Sequence, residues 1–157
     1  ESAADYVQRL AREKAEVVVD RLESRPGQPV LAADTTVVLD GRIYGKPADE
    51  ADCVAMLSAL AGRTHEVLTA IALRHDGRLH EALCSSRVTF RAIGTEECRL
   101  YWASGEPAGK AGAYAIQGLG AVFVSRLDGS FSGVMGLPLF ETAALLDAAG
   151  VKRWQAR

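Results

Sequence analysis

Cysteine is scarce in this sequence: Cys53, Cys84 and Cys98 are odd in number, widely spaced and never in a C-x-x-C pair. That excludes a disulfide framework and a zinc ribbon, and it fits a reducing compartment, with cytoplasm as the expectation. Apolar runs are short; none approaches the length of a membrane span, and the opening residues carry no signal-peptide pattern. Charge of one sign is lacking too. Eighteen Lys and Arg against 20 Asp and Glu give a net −2, so bulk attraction to nucleic acid or to an anionic membrane is not expected. There is no internal repeat, low-complexity tract or inter-domain linker. What remains is 157 residues, 48% hydrophobic and 24% charged. The expectation is a single domain over 1–157 with a sizeable core.

The most informative stretch is Val30 to Pro47. Val30-Leu31-Ala32-Ala33 reads as a buried strand and ends on Asp34, Thr35 and Thr36. Val37-Val38-Leu39 resumes the apolar pattern, and Asp40-Gly41 suits a two-residue turn in which both residues need positive φ. The return strand, Arg42 to Tyr44, ends at Gly45-Lys46-Pro47 and so brings Lys46 back beside the strand of Asp34. A carboxylate and a lysine held at a strand end suit a metal-bound polyphosphate: Asp holds Mg²⁺ or activates a water, and Lys neutralises a phosphate oxygen. The plainer alternative is a solvated edge Asp and an ordinary loop.

Before this stretch, Ser2-Ala3-Ala4-Asp5 has capping-box spacing. Tyr6, Leu10, Lys14 and Val18 follow at intervals of four and would share one packed helical face. Lys14 either snorkels from that face to water or is aimed at an anion in a cleft. Arg25-Pro26-Gly27-Gln28-Pro29 would end the helix.

After it, Asp49 would cap a helix stopped by Gly62, and a strand from Glu66 to Arg74 would turn at Asp76-Gly77 into a long strand from Leu79 to Ile93. A helix from a Thr95 cap to Trp102, a strand from Ala121 to Val124, a third turn at Asp128-Gly129 and a helix from about Leu139 to Ala149 complete the chain. Three Asp-Gly hairpins among four helices predict an α/β fold with a mixed sheet.

Several motifs fail on inspection. Gly105 to Ala111 is one residue short of a P-loop and has Ala111 where Ser or Thr would hold the metal. Asp34-Thr35-Thr36 lacks the second Asp of a haloacid-dehalogenase nucleophile motif. His65, His75 and His80 have no zinc-ligand spacing, and His65 reads as structural or surface. Gly112, Gly118 and Gly120 surround Tyr114 and Gln117. Either they let the backbone approach a flat ligand whose edge Gln117 reads, or they serve only a bulge or turn.

Taken together, Ala11-Arg12-Glu13-Lys14-Ala15, Ala33-Asp34-Thr35, Gly45-Lys46-Pro47, His65-Glu66-Val67 with Thr69-Ala70, Lys110 to Tyr114 with Ile116-Gln117-Gly118, and Gly136-Leu137-Pro138 follow the order of the Maf family. The chain resembles these nucleoside triphosphate pyrophosphatases along essentially its whole length. The resemblance implies an elongated fold like that of the inosine triphosphate pyrophosphatases, with a mixed central sheet, flanking helices and a cleft between two lobes. It implies a divalent metal, Mg²⁺ or Mn²⁺, a homodimer, and hydrolysis of a nucleoside triphosphate to the monophosphate and pyrophosphate. By motif, Asp34 would be the general base and lie at the metal, and Lys14 and Lys46 would bind phosphates. Thr35 and Gln117 match the pyrimidine-directed branch, which acts on dTTP, UTP and modified uridine triphosphates. The branch acting on 7-methyl-GTP has Gln and Glu there. The amide of Gln117 suits the O4 acceptor and N3 donor of uracil or thymine.

One departure stands out. The family's L-A-S-x-S-P-R-R-type segment and the acidic residue after it are not found before Glu1. The expectation is a piece of a longer chain; alone, the piece would rest its phosphate site on Lys14 and Lys46 and show weak or no turnover. The alternative function is a nucleotide-binding regulator of cell division that uses the same cleft without turnover.

Overall fold

In a computed structural model describing residues 1–21 and 27–154, five strands form one open sheet in the order β2-β1-β3-β4-β5. These are β1 (Val30–Leu39), β2 (Arg42–Tyr44), β3 (Thr64–His75), β4 (Arg78–Phe90) and β5 (Val124–Asp128). The helices are α1 (Ala3–Arg21), α2 (Glu50–Leu60), α3 (Thr95–Ala103), α4 (Phe131–Met135) and α5 (Leu139–Ala148), with 3-10 turns at Ala111–Ala113 and Leu119–Phe123. This is the expected α/β architecture, with one correction. Among the described residues all four strand pairings are antiparallel, so the sheet they form is not mixed.

Local chemistry explains the tight turns. Asp40 (φ 51°) with Gly41 (75°), and Asp76 (48°) with Gly77 (72°), both hold the positive φ pair that matches strand twist. The third turn does not form a hairpin: Gly129 (φ 134°) ends β5 and leads into α4, with no room for a Cβ beside Ser86. β5 begins at Val124 because Leu119–Phe123 coils first, three residues later than the expected strand. Asp49 caps α2 by accepting from Asp52 N at 2.9 Å, and Ser2 Oγ accepts from Asp5 N at 3.1 Å. Thr95 does not cap α3; Gly94 takes that place without a side-chain bond.

Packing corrects two further expectations. The buried stripe of α1 is Val7, Ala11 and Ala15, and Val18 is exposed. Small residues there face Ala70 and Ala72, which lets the helix approach the sheet closely. Lys14 then sits beside the buried stripe and leans over the sheet edge. Val30 to Ala33 is not a uniformly buried run, since Leu31 is exposed and Ala32 and Ala33 are half-buried. The break expected at Arg25-Pro26 lies outside the described residues.

Strand alternation separates two faces. Asp34 stands opposite Ala70 and faces α1; Thr35 stands opposite Thr69 and faces the other helices. On that second face, α2, α3 and the segment from Lys110 to Phe123 cover Val37, Val67, Val88 and Phe90. α4 and α5 cover β3 and β4 farther along. A cleft remains between the two groups. β2 pairs only with residues 37–39 of β1, so among the described residues no strand covers the outer edge of β1 before them. The cleft opens over that edge toward α1.

Candidate active site

The cleft has a volume of about 250 Å³, and Asp34, Thr35, Lys14, Lys46, Lys110 and Gln117 all line it. All five side chains singled out in the sequence therefore meet in one place, although residues 14 and 117 lie about a hundred positions apart.

Lys14 and Asp34 form the tightest pair. Lys14 Nζ donates to Asp34 Oδ1 at 2.5 Å and to the Ala33 carbonyl at 3.4 Å. The Asp34 side chain is only 13% exposed, whereas Lys14 is 55% exposed. An ammonium has three protons, so one remains for an anion in the cleft. Asp34 Oδ2 has no partner among the described residues and is the oxygen available for chemistry.

Lys46 arrives by a different route. The Asp40-Gly41 turn returns the chain antiparallel, and Gly112 N donates to the Gly45 carbonyl at 3.0 Å. That bond fixes the Gly45-Lys46-Pro47 loop to the segment carrying Lys110. Gly112 has φ +69°, and a Cβ on it would come within 2.9 Å of Val37. Its smallness therefore serves contact with β1. Gly118 and Gly120 likewise face Glu106, Tyr101 and Ala115. Each of the three glycines is thus required by close contact with other parts of the protein.

Thr35 joins a hydroxyl chain. Its Oγ1 lies 2.8 Å from Thr69 Oγ1, and Thr69 donates to the Gly133 carbonyl at 2.7 Å. Because Thr69 spends its proton on Gly133, Thr35 is the donor to Thr69. The free lone pairs of Thr35 are thus what it offers the cleft. The chain also ties α4 to the sheet, which places Val134 and Met135 on the far wall.

Two residues given no role in the sequence reading belong to the site. Lys110 was visible only as part of a motif, yet it makes a third lysine against one carboxylate in the cleft. Its one signal in the sequence was its place in the Lys110-Ala111-Gly112-Ala113-Tyr114 motif. Tyr114 lines the base of the cleft, and its hydroxyl lies 2.8 Å from His65 Nε2.

His65 is a core residue, 2% exposed and edge-on to Phe90 and Tyr114. Burial lowers its pKa from 6.5 to about 4, so the folded imidazole is neutral. Between those values the unfolded chain binds the proton and the folded chain does not. Its contribution to stability is therefore complete above pH 6.5 and lost as pH falls to 4, a difference of about 3 kcal/mol. Denaturant titrations at pH 7 and pH 4.5 should show a smaller pH dependence for His65→Gln than for the parent. Equal pH dependence would show that His65 does not govern that limb.

A divalent metal has a restricted place here. Among the described residues no group of three His, Cys, Asp or Glu side chains could hold an ion. Asp34 is the one carboxylate on the cleft lining. A single carboxylate with neighbouring lysines suits a cation carried in by phosphate oxygens, which Mg²⁺ favours over an all-protein cage.

The family model described as "Maf-like protein" matches residues 1–149. The chain belongs to the Maf family. Its relatives include proteins named "dTTP/UTP pyrophosphatase". The one from Bordetella avium (strain 197N) is 58% identical over 153 residues, covering 96% of this chain and 76% of the relative. Its namesake in Cupriavidus pinatubonensis (strain JMP 134 / LMG 1197) is 56% identical over 154 residues, covering 97% and 77%. In Albidiferax ferrireducens (strain ATCC BAA-621 / DSM 15236 / T118) the identity is 51% over the same shares. Lys14, Asp34, Lys46 and Gln117 all fall within the residues that the family model matches.

No described helix is long and apolar enough to cross a membrane.

Proposed function

We propose that this Maf protein is a nucleoside triphosphate pyrophosphatase acting on dTTP, UTP and modified pyrimidine triphosphates, releasing the monophosphate and pyrophosphate. The observation that carries this reading is one carboxylate, Asp34, facing three lysines in a cleft whose other wall presents Gln117. That charge pattern suits a triphosphate, and an amide suits a pyrimidine edge. The name shared by relatives at 51–58% identity supports the same substrate class.

In this reading Lys14, Lys46 and Lys110 hold phosphate oxygens and stabilise charge that develops on them. Asp34 Oδ2 accepts the proton of the attacking water while Oδ1 stays with Lys14, which fixes the carboxylate. Asp34 is also the residue that would hold Mg²⁺ or Mn²⁺, which when bound offsets charge on the leaving pyrophosphate. Thr35 contributes acceptor lone pairs, and Gln117 reads the base. A cytoplasmic setting fits the three unpaired, buried cysteines. A homodimer would cover Phe131, Met135, Leu137, Leu139 and Phe140, which are all exposed.

The test is product analysis. The whole protein is incubated with dTTP, UTP and GTP plus Mg²⁺, and monophosphate, diphosphate, pyrophosphate and phosphate are separated. Monophosphate with pyrophosphate, fastest from dTTP or UTP, is expected. Diphosphate with phosphate would overturn the bond assignment, and bound but intact nucleotide would favour a regulator. Gln117→Glu is expected to weaken the pyrimidine preference, because a carboxylate cannot donate to O4. An unchanged ratio of kcat/KM for dTTP over GTP would remove Gln117 from base selection.

A further inference from the structure

The residues that hold Gln117 in place lie outside the cleft, and they form one hydrogen-bonded clamp. Glu106, in the loop after α3, is half-buried and does not line the cleft. Its carboxylate accepts from Leu119 N through Oε1 at 2.8 Å and from Gly120 N through Oε2 at 2.8 Å. Oε2 also accepts from the Tyr101 hydroxyl. The Tyr101 oxygen in turn accepts from Ala115 N at 3.1 Å. Gly118 N donates to the Ala115 carbonyl at 3.2 Å, closing the turn. Ile116-Gln117-Gly118 is therefore gripped on both sides, with Ile116 buried and Gln117 exposed at the apex. Three backbone N–H groups are satisfied by two side chains from one neighbouring segment.

The charge state suits this task. Burial acts to raise the Glu106 pKa. The hydrogen bonds from Tyr101, Gly120 and Leu119, with the charge of Lys110 as the smallest influence, more than offset it and leave the carboxyl below its ordinary value. Tyr101 moves the other way: burial and the adjacent carboxylate raise its phenol above the usual range, so it stays a donor. Glycine at 118 and 120 is the spatial counterpart. A Cβ at Gly118 would fall on Glu106 Oε1, and one at Gly120 on the Tyr101 hydroxyl.

We infer that Glu106 is a positioning residue for nucleobase selection, setting through the backbone of Leu119 and Gly120 where the Gln117 amide stands in the cleft. This rests on the pyrophosphatase reading and deepens it. Glu106 touches neither phosphate nor base; it acts through Gln117. Its loss should therefore fall on the base side of the site and spare Asp34, Lys14 and Lys46 on the phosphate side, which are held by β1, α1 and the loop after β2.

The experiment uses two variants that break the clamp differently. Glu106→Gln removes the charge and leaves one amide hydrogen pair facing backbone donors. Gly118→Ala, at a φ of −115° that does not itself demand glycine, pushes the carboxylate aside while keeping its charge. For each, kcat and KM are measured with dTTP and GTP, together with inhibition by inorganic pyrophosphate and dTTP affinity by calorimetry. Expected is a rise in KM and in Kd for dTTP of about tenfold, the scale of a lost charged hydrogen bond, with kcat and pyrophosphate inhibition nearly unchanged and the dTTP-over-GTP ratio reduced. A folded variant with parental KM and preference would overturn the inference. So would a parallel fall in kcat for both nucleotides with weaker pyrophosphate inhibition, which marks a general structural role. A parent protein that neither turns over nor binds dTTP defeats the function reading first, and this inference with it.

Discussion

Asp34→Asn is expected to lower kcat by about 10²–10⁴-fold while KM for dTTP changes little, as for loss of a general base. Asn keeps the shape of the side chain but removes both its charge and its ability to take a proton. In the structure the carboxylate is 13% exposed and held by Lys14 through Oδ1, so its position is set before substrate arrives. The substitution removes the ion pair but leaves Lys14 two neutral acceptors, the amide oxygen of the new Asn and the Ala33 carbonyl. Because Lys14 is more than half exposed, water replaces the lost ion pair and the fold should hold, with Tm shifted by a few degrees at most. The metal dependence separates two roles. If Asp34 serves chiefly to hold a cation, added Mg²⁺ recovers much of the rate; if it is the base, added Mg²⁺ does not. A change in kcat under about threefold would remove Asp34 from the role of base.

Lys46→Ala should reduce kcat/KM for dTTP by about 10²–10³-fold, the scale of losing one charge-stabilising donor in an active site. Lys46 is exposed, and among the described residues it has no ion-pair partner to lose. Its backbone is fixed by the Gly45–Gly112 hydrogen bond and by the buried Pro47, neither of which depends on its side chain. The effect should thus be confined to substrate, with the melting temperature unchanged. Inorganic pyrophosphate should inhibit the variant less well, in contrast with the Glu106 variants. Lys46→Arg should recover only part of the activity, since the guanidinium is broader and presents its donors in a fixed fork. A kcat/KM within threefold of the parent would assign phosphate binding to Lys14 and Lys110 alone.

These two residues illustrate how far the sequence could be read. Asp34 and Lys46 are joined by a turn whose type is dictated by Asp40-Gly41, so their approach follows from chemistry within a dozen residues. Lys14 and Gln117 were recognisable by motif, but their place depends on contacts made far away. The four-residue stripe through Lys14 suggested that Tyr6, Leu10 and Val18 pack with it. The buried stripe is instead Val7, Ala11 and Ala15, because small residues let α1 settle against Ala70 and Ala72. That rotation is what leaves Lys14 at the helix flank, free to reach over the β1 edge. The Glu106 clamp was not legible at all. A glutamate after Ser104-Gly105 looks like any loop carboxylate until Leu119 and Gly120 are brought to it.

By itself the sequence determined the elements closed by short-range hydrogen bonds: the two Asp-Gly hairpins, the Ser2 and Asp49 caps, and the family motifs in their order. Such bonds span two to four residues and are decided by side chains next to one another. The third Asp-Gly pair shows the limit: at Gly129, packing against Ser86 turns the chain into α4 instead of back along a strand. Only the tertiary structure decided the antiparallel pairings of β1 with β3 and of β4 with β5, the face of α1, the meeting of three lysines with one carboxylate, and the clamp behind Gln117. Those depend on sheet register and helix docking across up to a hundred residues. Burial and backbone satisfaction over the whole molecule select among arrangements that local propensity leaves equal.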